Sequence, residues 1–406
     1  MKIGLVGTPG SGKTTFFASI YHEYRSNVFP APADGEISGY VPDAADLNMS
    51  VKPVGTELDA TLKALSKFFS KPAITKDDWP DGNVELDKRG IDVTYFFRTP
   101  RSEFKRRFTF YDPPGGIFTG VQPPSVIDSL TSQIRTCDAA IVFLPALDIL
   151  RVSGDRTTID KRTATSLRSE LGLGIIRDTL EHWGRERPDA GQTGFPITFI
   201  LSQADAIPER QVDGIMDFLY GYTREVTAAF ERLIVCTTFV SLIERVGALD
   251  VYAPTNIEIP FVFSTAGAIL RHMNELILEA EQKSSLASAY EMMAGASAKK
   301  YVELKVMYDE NPFGYFFEHH LRGEGFSAQR ERAERLNGRA NDTSAESRKR
   351  VAQAESELKL LTYLLNVIAD VIGDGVEQRG SGTAVWRGGE RVDPLDILAH
   401  LRSKRR

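Results

Sequence analysis

A glycine-rich segment near the start of the chain constrains the fold more than any other feature. Residues 3–6 have the apolar character of a buried strand, and residues 14–24 repeat apolar side chains at helical spacing. Between them lies Gly7-Thr8-Pro9-Gly10-Ser11-Gly12-Lys13-Thr14, which matches the pattern G-x-x-x-x-G-K-[ST] in full. A strand, a glycine-rich turn and a helix in this order predict a loop that binds phosphate.

Each residue type in this loop has a predicted role. The glycines permit positive φ and let backbone N–H groups converge on phosphate oxygens, while the dipole of the following helix favours an anion. Lys13 is expected to contact the β- and γ-phosphates, and Thr14 is expected to bind Mg²⁺. The predicted nucleotide-binding residues of the loop are Gly7, Thr8, Pro9, Gly10, Ser11, Gly12, Lys13, Thr14 and Thr15. An ordinary glycine-rich turn between a strand and a helix is the alternative interpretation.

Charge and cysteine content narrow the class of protein. Lys and Arg total 49 against 55 Asp and Glu, a net charge of −6, which favours solubility and gives no overall attraction for nucleic acid or an anionic membrane. The basic residues between 330 and 350 alternate with acidic ones, as on a solvated helix. Cys137 and Cys236 are far apart in apolar surroundings and are predicted to be buried thiols in a reducing cytoplasm.

Targeting signals also bear on location. Met1 leads directly into the first predicted strand, which leaves no room for a secretion signal. The most apolar later stretch, residues 358–372, carries Lys359 and Asp370 and is shorter than the roughly 20 residues that a bilayer requires. We therefore expect a cytoplasmic protein without a membrane span.

The order of apolar runs predicts the fold class. Predicted strands alternate with predicted helices, which indicates an α/β domain with a mostly parallel, three-layer arrangement. The run at 91–98 precedes a second at 105–111 after a short turn, so one antiparallel strand is expected. The later strands are predicted at 139–144, 196–201 and 259–264, with helices at 125–135, 167–183 and 212–232.

Composition divides the chain into two predicted domains. Prolines and glycines punctuate residues 27–90, which therefore form a predicted insertion, with a helix expected at 57–69. The α/β domain is predicted to cover residues 1–275. Residues 276–406 are predicted to be mainly helical, because residues 344–372 repeat apolar side chains at helical spacing and no central strand is evident after Ser264.

A second residue that holds the metal at the phosphate site is predicted at Asp112, at the end of a strand. Asp112 follows a buried run, where a carboxylate can hold Mg²⁺ through Thr14 or water. Asp112-Pro113-Pro114-Gly115 places Gly115 where its N–H can sense the γ-phosphate, and hydrolysis is expected to move residues 113–124. The alternative for Asp112 is turn chemistry alone, since Asp-Pro-Pro-Gly favours a turn.

The ordered motifs resemble those of translation-factor-type, Ras-like GTPases with a P-loop. The resemblance covers residues 1–275 and implies a three-layer P-loop NTPase fold that binds GTP or GDP with Mg²⁺. The resemblance also implies that Lys13, Asp112 and Gly115 are catalytic residues and that Thr14 and Asp112 are metal ligands. At the place of the guanine-reading motif [NT]-K-x-D the chain has Ser202-Gln203-Ala204-Asp205, and Ser264-Thr265-Ala266 resembles the last motif, so these segments are expected to contact guanine.

The chain departs from the family pattern at several positions. Gly116 stands where many relatives have a water-orienting glutamine, which implies slow intrinsic hydrolysis, and Gln203 replaces the lysine that stacks on guanine. Thr75 is the nearest upstream candidate for the threonine that reaches Mg²⁺ within the switch I region, residues 27–90. The arginines at 98, 101, 106 and 107 cluster near the hairpin, where a solvated face is the alternative to an arginine finger.

The resemblance implies a GTP-hydrolysing molecular switch that regulates a partner protein. Bacterial GTPase-like proteins with long insertions are a second, looser resemblance. A P-loop nucleotide kinase or ATPase stays open as an alternative, because the loop sequence also resembles that of nucleotide kinases. A nucleotide-dependent binding module with little hydrolysis is the third, favoured by Gly116 and Gln203.

Overall fold

The computed structural model describes most of the chain. The described residues are 1–24, 48–53, 60, 62–64, 66–75, 91–99, 102–111, 132, 135–181, 195–230, 233–246, 249–310, 326–372, 377–378, 382–394 and 396–397. The chain forms two compact units: Met1–Arg271 with Leu360–Arg406, and His272–Lys359. The predicted division after residue 275 falls close to the first boundary, whereas the return of the chain to the first unit at Leu360 was not predicted.

Within the described residues, eleven strands form one sheet. They are β1 Lys2–Gly7, β2 Asn48–Pro53, β3 Ile91–Thr99, β4 Ser102–Tyr111, β5 Ala139–Pro145, β6 Phe195–Ser202, β7 Leu233–Val246, β8 Leu249–Thr255, β9 Glu377–Gln378, β10 Thr383–Arg387 and β11 Glu390–Arg391. The order across the sheet is β11-β10-β7-β6-β5-β1-β4-β3-β2, while β8 pairs with β7 and β9 with β10. β4, β1, β5, β6 and β7 are parallel, and β3 is antiparallel to β4. The predicted mixed, mostly parallel sheet is confirmed, but the prediction of a single antiparallel strand is wrong, because β2 with β3, β8 with β7 and β10 with β7 also pair antiparallel.

Seven helices are described. They are α1 Lys13–Tyr24, α2 Ala146–Ser153, α3 Lys161–Glu170, α4 Leu173–Glu181, α5 Glu209–Ala229, α6 Glu258–Glu310 and α7 Phe326–Ile372. The predicted helix at 167–183 is two helices, α3 and α4, because Gly172 adopts φ 63° between them. None of the helices in the described part of the chain is both long and apolar enough to cross a membrane.

The central strands are buried on both faces. Every residue of β5 and of β6 is buried, as expected of parallel strands that helices cover from both sides. Cys137 and Cys236 are both buried free thiols. Arg271, only 6% exposed, has Nη1 3.2 Å from Asp138 Oδ1, and the other carboxylate oxygen, Oδ2, accepts the Lys2 N–H. This contact fixes the start of β5 against α6.

The predicted strand at 259–264 is wrong, because these residues open α6. Residues 259 and 261–266 are almost completely buried, so this part of the helix is covered all round. A short apolar run of this kind cannot be assigned to strand or helix by periodicity alone. Gly267 makes the fit possible, since a Cβ there would lie 2.1 Å from Pro196 Cβ on β6.

The central strand missing from the prediction is β7. Its first half pairs with β6 in parallel and carries buried threonines at 237 and 238. Thr237 donates to the carbonyls of Gly382 and Ala384, and β10 pairs with the other side of β7. The C-terminal region is largely helical, as predicted, but residues 383–387 extend the sheet of the first unit.

The hydroxyl pair at Thr238 and Thr383 shows why this extension escaped sequence analysis. Their oxygens lie 3.1 Å apart in the interior. Such a contact joins residues that are remote in sequence and leaves no local pattern.

Candidate functional site

The glycine-rich loop lies at the edge of the sheet where the parallel strands end. β1 has β4 on one side and β5 on the other, so the chain order runs in opposite directions from β1. In open α/β sheets, ligands bind outside the carboxyl ends of the strands at such a switch point. The loop begins at Gly7, the last residue of β1, and leads into α1 at Lys13.

Close packing fixes the shape of the loop. A Cβ on Gly7 would lie 2.7 Å from Ser11 Oγ and 3.0 Å from Phe143 Cβ, so only glycine fits there. Gly10 and Gly12 have φ of 75° and 87°, a conformation that glycine adopts without strain. The Ser11 N–H donates to the Thr8 carbonyl, and the Phe16 N–H donates to the Gly12 carbonyl as the first turn of α1 begins.

Lys13 is held inside this loop. Its side chain is 8% exposed, and Nζ donates to the Gly7 carbonyl at 3.0 Å and to the Thr8 carbonyl at 3.3 Å. A buried ammonium needs such acceptors to offset the loss of water. The cation therefore stands at the N-terminus of α1, where the positive end of the helix dipole also lies.

Two hydroxyl groups of the loop are buried and have no hydrogen-bond partner among the described residues. They are Thr8 Oγ1 and Ser11 Oγ, on residues that are 4% and 0% exposed. A buried hydroxyl without a partner is costly, so such groups suit an acceptor that arrives with a ligand. Thr14 and Thr15, the next residues of α1 after Lys13, are half-buried.

The end of β6 packs against the same loop. The Ser202 hydroxyl donates to the Ser11 carbonyl at 2.8 Å, and both residues are buried. Gln203 follows in the left-handed region at φ 59°, and its Nε2 donates to the Gly10 carbonyl at 3.4 Å. Gln203 therefore lies over the glycine-rich loop.

Asp205 lies in the 3-10 turn Ala204–Ala206 that follows β6. The Ser241 hydroxyl donates to Asp205 Oδ1 at 2.9 Å. The residue is exposed by area, yet protein atoms around its carboxyl group displace water and raise the pKa of Asp205, while the Ser241 hydrogen bond offsets part of the rise.

Ser241 marks the point where β7 leaves the main sheet and pairs with β8. Its hydroxyl also lies 2.7 Å from the Ile243 carbonyl, next to a register shift between residues 241 and 243. A serine hydroxyl has one hydrogen, so Asp205 and Ile243 compete for it. The side chain can thus change its acceptor without moving far.

The roles of two residues of this site, Ser202 and Ser241, were not predicted from the sequence. Ser202 was visible as the first position of the guanine-reading motif, but its contact with Ser11 depends on the fold. Ser241 was missed because β7 was missed. The β-branched, apolar run at 233–240 was the available signal.

The residues predicted to contact guanine, Ser264, Thr265 and Ala266, lie in a helix and not at the end of a strand as expected. These residues are 0%, 0% and 1% exposed inside the first turns of α6. Ser264 Oγ lies 3.2 Å from Thr198 Oγ1 on β6. Thr198 precedes Ser202 by four residues, about 13 Å along a strand, so this segment lies away from the edge that carries the loop.

Other predicted residues fall partly outside the described structure. Asp112, Gly115 and Gly116, with the 113–124 segment, lie outside the described residues, as does Arg101. Thr75 is exposed and follows Ile74, which forms a bridge with Asp250. Arg107 is bound to Asp92 across the β3–β4 hairpin at 2.5 Å.

No metal cluster is found in the part of the chain that the structure describes: no three His, Cys, Asp or Glu side chains there are grouped to hold an ion. In comparisons with known proteins, no family model and no curated protein matched this chain.

Proposed function

We propose that this protein is a Mg²⁺-dependent GTP-binding and GTP-hydrolysing switch that regulates a partner protein. The observation that carries the proposal is the convergence, at one edge of the sheet, of the glycine-rich loop, the buried Lys13 ammonium and Asp205. The end of β6, which leads to Asp205, is joined directly to the glycine-rich loop, because Ser202 and Gln203 donate to carbonyls of the loop.

The loop supplies the donors that a triphosphate requires. The Thr8 and Ser11 hydroxyls offer hydrogen bonds to phosphate oxygens, and the first N–H groups of α1 point out of the helix end. Lys13 turns its ammonium from the Gly7 and Thr8 carbonyls to the β- and γ-phosphates. Charge-assisted bonds of this kind are stronger than those between neutral groups.

The metal site in this proposal is formed by Thr14 and Asp112. Hydroxyl and carboxylate oxygens are hard ligands that suit Mg²⁺, and the half-buried Thr14 directly follows Lys13. Bound Mg²⁺ would neutralise charge that develops on the phosphates. Thr14 lies on α1, and Asp112 directly follows β4 in the sequence.

The base is recognised at the end of β6. The Asp205 carboxylate would accept the N1 and N2 hydrogens of guanine, and adenine does not offer this pair of donors. Ser241 holds the carboxyl group by its hydroxyl, and Gln203 lies over Gly10 in place of a lysine stem. Gly115 would sense the γ-phosphate, and slow intrinsic hydrolysis follows from Gly116, which has no side chain to orient water.

Asp205→Asn tests the guanine assignment. We expect this substitution to weaken mant-GTP binding about 30-fold, because the amide cannot accept two hydrogens from guanine as a carboxylate does. Binding of mant-ATP should not change, since the phosphate contacts are kept. Fluorescence titration of the full chain in the presence of Mg²⁺ measures both affinities.

The matched control for this experiment is Asp213→Asn, on an exposed position of α5. It makes the same chemical change away from the site. Equal affinities of the wild type for mant-GTP and mant-ATP would overturn the guanine assignment in favour of an ATPase. Phosphate transfer to a nucleoside monophosphate without release of free phosphate would favour a kinase, and binding without turnover even with a partner would leave a binding module.

The raised pKa of Asp205 predicts a pH dependence of guanine binding. Burial favours the neutral carboxyl, so its proton is lost at a higher pH than for an ordinary aspartate, which titrates near pH 4. Only the ionised form accepts both guanine hydrogens. The affinity for mant-GTP should therefore fall, as pH is lowered, before that for mant-ATP falls, and parallel titrations across acidic pH test this. Identical profiles would contradict it.

A further inference from the structure

Three segments that are remote in sequence meet in one cluster of side chains. α1 contributes Ala18, Ser19 and His22, the insertion contributes Phe69 and Ile74, and the β7–β8 hairpin contributes Leu242, Ile243 and Tyr252. We call this the Tyr252 cluster. It connects the helix that begins at Lys13 with the insertion and with the hairpin that begins at Ser241.

The cluster is centred on Tyr252 by the packing of its ring and by a hydrogen bond with Ser19. Its ring lies 4.4 Å from that of Phe69 and 5.4 Å from that of His22, and His22 lies 5.5 Å from Phe69. The Tyr252 hydroxyl is 2.8 Å from Ser19 Oγ, and Ser19 is completely buried. Burial raises the pKa of Tyr252, so its hydroxyl keeps its proton.

The insertion is also joined to the hairpin through the backbone. The Ile74 N–H donates to the Asp250 carbonyl at 2.7 Å, so Ile74 forms a bridge with β8. Ile74 and Phe69 are each 4% exposed, which shows that this part of the insertion is packed against the rest of the first unit. Residues 66–75 are therefore docked on the hairpin.

The root of the hairpin contains a group with two alternative arrangements. Ser241 can give its single hydrogen to Asp205 or to the Ile243 carbonyl, which lie at 2.9 Å and 2.7 Å. A base that occupies Asp205 supplies hydrogens of its own. These added hydrogens compete with Ser241 for the same carboxylate and favour the Ile243 carbonyl as its acceptor, and Ile243 neighbours Tyr252 in the cluster. Linkage between sites requires that the two arrangements differ in their affinity for the base.

We propose that the β7–β8 hairpin links occupancy of the base site to docking of residues 66–75. The inference rests on the proposed function, since the base is the ligand, and it adds a route that does not pass through the γ-phosphate. Base binding fixes Ser241 on Ile243 and stabilises the hairpin against Phe69 and Ile74. Because linkage is reciprocal, weakening the docked insertion weakens nucleotide binding.

Phe69→Leu on the full chain tests the linkage, because it removes the ring that stacks on Tyr252 and keeps an apolar side chain. We expect the affinity for mant-GTP to fall about 5- to 20-fold, within the usual range of coupling between sites. Amide exchange at residues 66–75 should slow when a non-hydrolysable GTP analogue is added to the wild type. This slowing should be lost in Phe69→Leu and in Ser241→Ala.

Tyr220→Leu is the matched control. Tyr220 packs on Trp386 with ring centroids 5.3 Å apart, so the Tyr220→Leu variant loses a comparable aromatic contact elsewhere in the first unit. Its affinity for mant-GTP should match the wild type. Tyr252→Phe, which deletes only the oxygen near Ser19, gives a second, milder variant and should lower the affinity in the same direction.

The outcomes separate this inference from the proposed function. If the wild type binds mant-GTP, and Phe69→Leu and Tyr252→Phe bind it as tightly as Tyr220→Leu does, the linkage is overturned and the proposed function stands. Nucleotide-independent exchange at residues 66–75 also overturns it. If the wild type binds no mant-GTP, the proposed function fails and the linkage fails with it.

Discussion

Replacing Gly267 by alanine is expected to destabilise the first unit by about 3 kcal/mol or more. The new Cβ would lie 2.1 Å from Pro196 Cβ and 2.2 Å from Pro196 Cγ, far inside van der Waals contact. The proline ring cannot rotate away, and β6 is paired on both sides. α6 would therefore have to move off the sheet, and the buried contacts of residues 261–266 would be lost.

Urea unfolding followed by circular dichroism measures this effect. Gly221→Ala is the matched control, because Gly221 lies within α5 and a Cβ there would meet nothing within 4 Å. Alanine in an open helical position gains roughly 0.5–1 kcal/mol over glycine, so the control should be at least as stable as the wild type. An unfolding midpoint for Gly267→Ala equal to that of Gly221→Ala would show that α6 does not pack on Pro196 as described.

The glycine at 267 illustrates what sequence analysis can and cannot provide. The loop at 7–14 was predicted with its flanking strand and helix because the whole pattern is local. The turn after β6 was also placed well, since Asp205 follows an uninterrupted buried strand. By contrast, Gly267 has no local role in α6. Its requirement comes from Pro196, which only the tertiary structure brings to it.

The errors have a common physical origin. Residues 259–263 of the run at 259–264 are apolar without interruption, so neither the two-residue period of a half-exposed strand nor the helical period is visible. β7 was not recognised because it changes its pairing partner: the strand is buried to Val240 and then continues into a half-buried hairpin with β8. The Tyr252 cluster joins three segments separated by long stretches of chain, and no single-sequence pattern carries such information.

Ser241 lies between the proposed base site at Asp205 and the β7–β8 hairpin. Its hydroxyl lies between the carboxylate that would read the base and the hairpin that carries Tyr252. The same side chain thus contributes to base recognition and to linkage with the insertion. Ser241→Ala should weaken both base binding and the linkage with the insertion. Asp205→Asn should weaken mainly base binding, because this substitution leaves the Ser241 hydroxyl free to donate to Ile243.

Replacing Lys13 by methionine is expected to weaken the binding of both mant-GTP and mant-ATP about 100-fold. Hydrogen bonds to charged groups contribute about 1.5–3 kcal/mol, and each 1.4 kcal/mol is a factor of ten in affinity. Methionine keeps most of the apolar stem in the buried position, so the loss reports the ammonium group and not the packing. Titration of the full chain with each nucleotide, together with a thermal unfolding curve, separates lost binding from lost structure.

Lys161→Met is the matched control, because Lys161 is an exposed lysine at the start of α3 and lies outside the loop. Its affinities should equal those of the wild type. Comparison of the nucleotide affinities of Lys13→Met and Asp205→Asn then distinguishes phosphate binding from base selection. A loss of both nucleotides in Lys13→Met with a loss of GTP alone in Asp205→Asn assigns phosphate binding to α1 and base selection to β6. Unchanged affinities in a folded Lys13→Met protein would remove the phosphate site from the loop, and the proposed function with it.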